Sequence, residues 1–514
     1  MKRLRGKIIT KINNRIIITV LLILIQIAFM VSGVYIFADY SRGISAALAV
    51  LSFLMSLYII RRDDSSSYKM IWLLVMGAFP ILGGLMYIFM GNKRPAKKLR
   101  EKIDRQIKEE AVWLGKDSDI ISHMDKRSGL LSAYISKYGG YPVCENTEAE
   151  YFPCGEEMFE VMLSELEKAE RFIFMEYFII GYGEMWSAVL KILEKKAKNG
   201  VDVRIIYDDM GCMGLLPSDY PAHLAKKGIK VIPFNRFVPV VSAVMNHRDH
   251  RKILDIDGNT AFTGGINISD EYINKEERFG YWKDTALMIK GDGVMNFTVM
   301  FAQMWNALSP DKIDCEKCRP TYMPNSRMKG FFQPYSDSPL DNEQLGENVY
   351  IDILNQAEDY VYIFTPYLVI DDRMIAALGL AAKRGVDVRI VTPGIPDKKP
   401  IFRVTRSYYQ VLIEEGVRIY EYTPGFLHAK SYVSDDKRAV VGSINMDFRS
   451  LYLHFECGVF MSSNDEDKPL PAVMALKEDC LRVFEQSKEI MPDESRWFSR
   501  SLIDAILRAL GPLI

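Results

Sequence analysis

The chain has 514 residues, 49% of them hydrophobic, so it is long and apolar enough to bury more than one core. Its formal net charge is −1, and this balance argues against a nucleic-acid-binding protein. The seven cysteines are scattered and odd in number, which favours reduced thiols over a disulfide framework. One tight pair, Cys315 and Cys318, has two interpretations: half of a zinc site, or part of a polar linker, which we favour because the sequence has no second pair.

Three apolar runs dominate the N-terminal part of the chain, at 16–37, 44–60 and 71–90. The first run is uncharged throughout and long enough to cross a bilayer. It has no small-residue cleavage site and more apolar sequence follows it, so a removable signal peptide is not expected. The second run follows after a short connection, as in a helical hairpin. We therefore expect residues 1–92 to form a membrane anchor.

Clusters of Lys and Arg flank these runs: one precedes the first run, one lies at 61–62 and one at 93–100. Such residues accumulate on the cytoplasmic side of a membrane. Three full crossings would place the last cluster outside. Two crossings, followed by a re-entrant third run that turns back near Pro80 and Gly83, would keep all three clusters in the cytoplasm. We favour this second topology, with the chain in the cell membrane as a multi-pass protein and its catalytic region in the cytoplasm.

Beyond residue 110 the sequence repeats itself. The stretch "KNGVDVRIIYDD" at 198–209 matches "KRGVDVRIVTPG" at 383–394, and both read as a helix end, a glycine turn and a strand. Repeated units of this kind predict an α/β fold with largely parallel strands. We expect the following divisions: a basic linker at 93–120, a first lobe at 121–310, a linker at 311–330 and a second lobe at 331–514. An apolar insertion at 235–246 in the first copy is either a packed loop or a lip that faces lipid.

The strongest repeat is a motif, H-x-K-x4-D-x6-G-[GS]-x-N, which occurs in "HRKILDIDGNTAFTGGIN" and again in "HAKSYVSDDKRAVVGSIN". Its polar positions are His250, Lys252, Asp257 and Asn267 in the first copy, and His428, Lys430, Asp435 and Asn445 in the second. A histidine and a lysine two residues apart on a strand project from the same face. The aspartates fall at the strand ends, and the asparagines add neutral hydrogen-bond donors.

A pocket built from both copies would hold two histidines and two ammonium groups. Two facing ammonium groups are unfavourable unless an anion lies between them, and a tetrahedral phosphate is the anion that this donor set suits. One neutral histidine could then attack phosphorus while the other, protonated, gives its proton to the departing alkoxide. The lysines would supply the positive charge, so this chemistry calls for neither a metal nor a cofactor.

Each histidine needs a carboxylate to orient it, and matching positions after the two motifs offer Asp284 and Glu456. We expect Asp284 to orient His250 and Glu456 to orient His428. A lone H-x-K would be weak evidence, but here two of six histidines open the same pattern in equivalent repeat units. Of the remaining histidines we interpret three as structural or surface residues, His123, His223 and His247.

The duplicated motif resembles the signature of the phospholipase D superfamily, and with "WLLVMGAFPILGGLMYIFMGNKR" in the N-terminal part the chain looks like a bacterial cardiolipin synthase. The resemblance implies two pseudo-symmetric α/β lobes that share one active site. It also implies condensation of two phosphatidylglycerol molecules into cardiolipin and glycerol, through a phosphatidyl-histidine intermediate. By similarity His250 is the nucleophile and His428 the acid/base. The implied partners are phosphatidylglycerol and anionic membrane lipid, with no nucleic acid, and the oligomeric state stays open.

Two positions depart from the family's pattern. Gly265 stands where the second copy keeps Ser443, and His454 stands where an asparagine is common before the "FE" pair. The alternatives are a phospholipase D hydrolase or transphosphatidylase, and a phosphatidylserine synthase. A superfamily nuclease does not account for the apolar N-terminal runs, and a catalytically dead scaffold does not account for two intact motifs.

Overall fold

The computed structural model describes residues 42–62, 65–78, 97–236, 246–322, 330–464, 469–495 and 502–511, with a few single positions between these ranges. The first apolar run at 16–37 lies outside these ranges. So do the expected turn of the third run at 79–82 and most of the apolar insertion, at 237–245.

The helices in these ranges are short to medium in length. They are α1 Arg42–Arg61, α2 Ser66–Ala78, α3 Lys97–Glu110, α4 Ser118–His123, α5 Lys126–Tyr134, α6 Gly155–Leu166, α7 Glu184–Lys198, α8 Tyr220–Ala225, α9 Val294–Leu308, α10 Leu345–Gln356, α11 Asp372–Lys383, α12 Lys399–Ser407, α13 Tyr409–Glu414, α14 Phe448–Tyr452, α15 Pro471–Glu485, α16 Pro492–Ser495 and α17 Leu502–Leu510.

The strands fall into two sheets and a few short pairs. They are β1 Thr147–Phe152, β2 Phe172–Tyr177, β3 Asp202–Asp208, β4 Lys230–Phe234, β5 Arg248–Asp249, β6 Lys252–Ile256, β7 Thr260–Gly264, β8 Tyr281–Lys283, β9 Ala286–Gly291, β10 Phe331–Asp337, β11 Tyr360–Phe364, β12 Leu368–Val369, β13 Asp387–Pro393, β14 Arg418–Tyr422, β15 Gly425–Leu427, β16 Ser431–Ser434, β17 Arg438–Gly442, β18 Met446–Asp447, β19 His454–Ser462 and β20 Ser487–Glu489.

The two sheets have the same strand order, which is the structural form of the sequence repeat. The first runs β1-β9-β7-β6-β2-β3-β4, and the second runs β10-β19-β17-β16-β11-β13-β14 with β20 added at its edge. Along these two strand orders, the parallel neighbours among the described residues are β2, β3 and β4 in the first sheet and β11, β13 and β14 in the second. The expectation of largely parallel strands is therefore wrong for the rest of each sheet. Each motif folds as an antiparallel hairpin, β6–β7 or β16–β17, because its two strands are joined by a tight turn.

The two sheets pack against each other through one hydrophobic core. Ile253 and Leu287 of the first sheet belong to the same buried cluster as Val441 and Val459 of the second. Two short strands also cross between the lobes: β5 pairs in parallel with β19, and β15 pairs in parallel with β8. These crossings bring the two motifs to one place, at the junction of the sheets.

The segments expected to be linkers are ordered where the structure describes them. Helix α3 packs on α9 through the buried side chain of Ile103. Cys315 and Cys318 lie in a 3-10 turn and are both buried, and burial raises the pKa of each thiol, that of Cys318 to about 12. The polar-linker interpretation is wrong for these two side chains, which belong to a core.

Helices α1 and α2 cover the second apolar run and the start of the third. Tyr68 of α2 stacks on Phe448 of α14, with ring centroids 6.0 Å apart, and α17 packs against α2. Among the residues that the structure describes, no helix is both long enough and apolar enough to span a membrane.

Candidate active site

The two crossing strand pairs place each motif histidine beside a carboxylate of the other lobe. In the β5–β19 pair Asp249 lies opposite Phe455, so the next residues, His250 and Glu456, face each other. In the β15–β8 pair Leu427 lies opposite Lys283, and the next residues, His428 and Asp284, face each other. The main-chain amide of each histidine is bound as well: His250 donates to the carbonyl of Phe455 at 2.9 Å, and His428 to that of Lys283 at 2.7 Å.

The expected partners of the two histidines are therefore exchanged. Nδ1 of His250 lies 2.9 and 3.0 Å from the two carboxylate oxygens of Glu456, and Nδ1 of His428 lies 2.7 Å from Oδ2 of Asp284. The expectation that Asp284 orients His250 and Glu456 orients His428 is wrong. Each half of the repeat contains one of the histidines and one of the carboxylates, but the crossing strands bring the carboxylate of one half to the histidine of the other.

Burial controls the charge of both imidazoles. It lowers the pKa of His250 to about 3, partly opposed by Glu456, and the pKa of His428 to about 4, where the ammonium group of Lys430 lowers it further. Burial alone would raise the pKa of Glu456 and of Asp284, but the facing histidines and lysines hold both carboxyl groups below their usual range. In the empty pocket the histidines are therefore neutral and the carboxylates ionised. With Nδ1–H donated to a carboxylate, Nε2 is left with its lone pair toward the pocket.

The two motif lysines lie deeper, beneath the histidines. Lys252 is 1% exposed and Lys430 is 0% exposed, and each ammonium group donates to the main-chain carbonyl of the histidine two residues before it. Burial lowers the pKa of Lys252 to about 8 and that of Lys430 to about 7, and the charge of Lys252 contributes to the lowering at Lys430. Two buried ammonium groups that repel each other would be stabilised by an anion between them.

The motif aspartates do not reach the pocket, and this corrects their place among the catalytic candidates. Asp257 lies at the far end of β6 from Lys252, with φ of 58°, and accepts hydrogen bonds from the main-chain amides of residues 170, 171 and 172 at 2.7–2.8 Å. Asp435 has φ of 54° and accepts from the amides of 358, 359 and 360 at 2.9–3.0 Å. Each aspartate ties the hairpin turn to the start of the neighbouring central strand, which is a positioning role.

The motif asparagines do line the pocket. Asn267 accepts from the amide of Ile179 at 3.0 Å and donates to the hydroxyl of Tyr272 at 2.7 Å. Asn445 donates to Asp447 at 3.0 Å, and its own carbonyl oxygen has no hydrogen-bond partner within the described ranges. Gly265, which departs from the serine of the second copy, has a steric cause, because a Cβ at this position would clash with the carboxylate of Asp284. In the second copy the longer Glu456 leaves room for Ser443, whose hydroxyl donates to it.

Both histidines open into one cavity of about 520 Å³. This volume lies within the range of small-molecule binding sites. The aromatic side chains in its wall are Phe178, Tyr272, Phe279, Trp282, Tyr367, Phe426 and Phe448. The rings of Phe178 and His250 meet edge to face at 4.9 Å, and the ring of Trp282 lies 5.4 Å from that of His428. The cavity therefore has a wall of mixed character, with aromatic side chains beside charged ones, and the two motif lysines are buried beneath its histidines.

Sequence reasoning gave no role in the site to the further basic residues that line this cavity, which are Arg248, Arg278, Lys398, Arg449 and His454. The signal for His454 was present, because it lies two residues before Glu456 and alternate residues of a strand share a face. In the described part of the chain, His250, His454 and Glu456 are the one group of side chains whose ligand atoms are close enough, within 4.8 Å, to hold a metal ion. The ammonium groups of Lys252 and Lys430 oppose a cation there. The three histidines interpreted as structural or surface residues lie outside this cavity. His123 and His223 are exposed, and His247 is buried with Nδ1 3.1 Å from a main-chain carbonyl.

Comparison with known proteins identifies the family. The family model described as "Cardiolipin synthase, PLD-like domain" matches residues 162–305 and 350–475, and an N-terminal phospholipase D-nuclease model matches 50–92. A protein of Streptococcus mutans serotype c described as uncharacterized is 45% identical over 89% of this chain and 99% of its own length. A cardiolipin synthase of Geobacillus sp. strain WCH70 is 33% identical over 92% of this chain and 93% of its own, and cardiolipin synthase 2 of Bacillus anthracis is 33% identical over 90% of each.

Among solved structures, phosphatidylserine synthase of Haemophilus influenzae Rd KW20 aligns with a TM-score of 0.56 over 75% of this chain and 100% of its own, at 13% identity. At that identity the likeness concerns the fold, which is the phospholipase D-like α/β fold. The family model covers more than half of the chain, and named relatives one-third identical to it extend along nearly its whole length. The chain belongs to the cardiolipin synthase family with phospholipase D-like domains.

Proposed function

We propose that the protein is a phosphatidyltransferase that joins two phosphatidylglycerol molecules into cardiolipin and releases glycerol. The observation that carries this proposal is the reciprocal pairing of two buried histidines with two carboxylates above two buried ammonium groups. Family membership agrees with it, since the named relatives are cardiolipin synthases. Donor and acceptor are then the same lipid, so one cavity has to accommodate two headgroups in succession.

In the first half-reaction Nε2 of His250 attacks the phosphorus of one phosphatidylglycerol molecule. The N–P bond forms, the P–O bond to the headgroup glycerol breaks, and His428 gives its proton to the departing oxygen. Lys252 and Lys430 bind the non-bridging oxygens, whose negative charge grows in the transition state. Because an anion beside His428 favours the imidazolium form, binding of the phosphate raises the pKa of His428 from its low value in the empty pocket and allows it to act as an acid.

In the second half-reaction neutral His428 takes the proton from the terminal hydroxyl of another phosphatidylglycerol molecule. The alkoxide attacks phosphorus, the N–P bond breaks, and His250 is restored. Attack by water instead would give phosphatidic acid, so hydrolysis uses the same residues and differs only in the acceptor.

The test is a lipid assay on vesicles that contain the full chain. Labelled phosphatidylglycerol is the sole substrate, with no CDP-activated lipid and with a chelator to remove divalent metal ions. Cardiolipin and glycerol in equal amounts are expected, and none in the His250→Ala or His428→Ala variant. Phosphatidic acid as the sole product would show a hydrolase, and a requirement for a CDP-activated lipid would point to a phosphatidylserine synthase-like reaction.

We also propose that residues 1–92 anchor the enzyme in the cell membrane, with the lobes at 121–310 and 331–514 in the cytoplasm. Support comes from the apolar runs, from the basic clusters beside them and from the packing of α1 and α2 next to the cavity. Single cysteines at Asp39 and Lys97, in a chain without other cysteines, can be labelled in intact cells with a membrane-impermeant thiol reagent. Label at 39 alone is expected, and label at 97 would require an external catalytic region.

A further inference from the structure

One cation of the active-site cavity has a buried donor without a partner. Arg449 of α14 lines the cavity, and its Nε is buried and makes no hydrogen bond to any residue in the described ranges. The nearby carboxylate of Asp447 is occupied elsewhere, since it accepts from the amide of Ser450 at 2.9 Å and from Asn445 at 3.0 Å. A guanidinium group stays charged in a protein and presents a planar set of donors suited to a phosphate.

Two further basic groups lie beside Arg449. Arg248 is close enough for its charge to lower the pKa of Arg449, although burial is the larger cause of that lowering. Arg248 itself is held by the carboxylate of Asp208 at 3.4 Å and by the carbonyl of Asn235 at 3.1 Å. The register of β5 and β19 places Arg248 opposite His454, which is only 9% exposed.

His454 is a second polar group in this part of the cavity without a hydrogen bond. Neither ring nitrogen makes one to a described residue, and the nearest carboxylate oxygen, on Glu456, lies 3.5 Å from Nδ1. Its ring centroid is 5.5 Å from that of His250. Buried polar groups without partners are rare in folded proteins and often mark the position of a ligand. Arg248, Arg449 and His454 therefore form a donor-rich wall next to the reaction centre.

We propose that Arg449, with His454 and Arg248 beside it, is a second phosphate subsite that holds the headgroup phosphate of the acceptor phosphatidylglycerol. This inference rests on the proposed function. The donor lipid has one phosphate, which the two histidines and two lysines bind. The product has two phosphates joined by a glycerol bridge, so the acceptor brings a second anion into the same cavity.

The subsite favours transfer over hydrolysis, because water has no phosphate with which to bind there. With its phosphate at Arg449, the acceptor extends its glycerol bridge across the cavity and delivers the terminal hydroxyl to His428, on the side of the phosphorus opposite His250. Loss of one charge-assisted phosphate contact should reduce the use of a phosphate-bearing acceptor by about 10- to 100-fold. The first half-reaction, which involves no acceptor, should be affected much less.

The experiment compares acceptors for the same phosphatidyl-enzyme. Vesicles with unlabelled phosphatidylglycerol receive labelled glycerol, a neutral acceptor, or labelled glycerol 3-phosphate, which carries the phosphate without acyl chains. The assay measures the incorporation of each label into lipid and, in the same samples, the amounts of cardiolipin and phosphatidic acid formed. The variants are Arg449→Gln, Arg449→Lys, and Arg482→Gln as a control at an arginine of α15 that is 58% exposed.

For Arg449→Gln we expect the use of glycerol 3-phosphate to fall by about 10-fold or more relative to glycerol exchange, so that the wild-type preference for glycerol 3-phosphate is lost, and we expect the ratio of cardiolipin to phosphatidic acid to fall by about 10-fold or more. Arg449→Lys should give a ratio of cardiolipin to phosphatidic acid between those of the wild type and Arg449→Gln, and Arg482→Gln should give the wild-type ratio. Continued glycerol exchange shows that the variant is folded. An equal fall in glycerol exchange would place Arg449 at the reacting phosphate, and an unchanged product ratio would remove the subsite. If the wild type itself makes no cardiolipin, the proposed function fails instead.

Discussion

Replacing the buried Lys430 with methionine should stabilise the empty enzyme while it abolishes turnover. The lysine is 0% exposed, and burial lowers its pKa from 10.5 to about 7. A lowered pKa means that the native protein holds this proton more weakly than the unfolded chain does. Methionine fills a similar volume with no charge to bury.

The size of the effect follows from that shift. One pKa unit corresponds to about 1.4 kcal/mol, so lowering the pKa from 10.5 to about 7 means that the charged lysine destabilises the native protein by about 5 kcal/mol at low pH. About 4 kcal/mol of this destabilisation applies at pH 7. The ammonium group also donates to the carbonyl of His428, and loss of that hydrogen bond costs about 1 kcal/mol. With allowance for imperfect packing, we expect Lys430→Met to raise the free energy of unfolding by about 2 to 3 kcal/mol at pH 7.

The pH dependence separates this cause from better packing. Between about pH 7 and pH 10 the unfolded chain keeps a proton on Lys430 that the native protein has lost, so the wild type gains about 1.4 kcal/mol of stability per pH unit. The advantage of the variant should therefore shrink as the pH rises and vanish near pH 9 to 10. The difference in the free energy of unfolding between variant and wild type is measured by denaturant unfolding in detergent micelles at pH 7, 8 and 9. The control is Lys383→Met, at an exposed lysine. A less stable variant at pH 7, or an advantage independent of pH, would refute the reasoning.

The remaining predictions concern the carboxylates and the anion site. Glu456→Gln should slow formation of the phosphatidyl adduct on His250 with any leaving group, because Glu456 orients that histidine. Asp284→Asn should impair only the acid, His428, so a substrate with a nitrophenol headgroup, which leaves without a proton, should restore the rate. Equal restoration in both variants would contradict this pairing. Asp257→Asn and Asp435→Asn should each lower the free energy of unfolding by about 1 to 3 kcal/mol, measured by denaturant, and leave the ratio of cardiolipin to phosphatidic acid unchanged. Inhibition by sulfate, whose charge is constant, should weaken as the pH rises through about 7 to 8, because the two buried lysines lose their protons there; inhibition constant over this range would argue against their role.

Much of the fold could be predicted from the sequence because the repeat is internal. Matching helix-glycine-strand units predicted two equivalent α/β lobes, and the two sheets do share one strand order. The mixed direction of the strands was missed, since a run of buried residues does not show whether its neighbour is parallel or antiparallel. Helix α3 was missed as well, because a sequence rich in Lys and Glu resembles a linker until the packing of Ile103 on its one apolar side is seen.

At the site, the sequence identified the histidines and lysines but not the partner of each histidine. A duplicated motif is compatible with pairing inside a lobe and with pairing between lobes, since His250 and His428 are followed by equivalent carboxylates. Only the register of β5 with β19 and of β15 with β8 decides between them. The aspartates were misplaced for a similar reason. The spacing put Asp257 at the end of the motif strand, and that end lies away from the pocket, where three amides of the neighbouring strand bind it.

The exchanged pairs make the two lobes depend on each other. Glu456 and Asp284 are both 0% exposed in the folded chain, and each is bound by the histidine of the other lobe. Loss of either histidine from the docked protein would leave a buried carboxylate without that partner, which costs free energy. The pairs are also unequal, because Glu456 reaches its histidine with help from Ser443, whereas the shorter Asp284 occupies the space left open at Gly265. The two copies of the motif thus place their histidines in different environments, which the proposed reaction, with one nucleophile and one acid, could use.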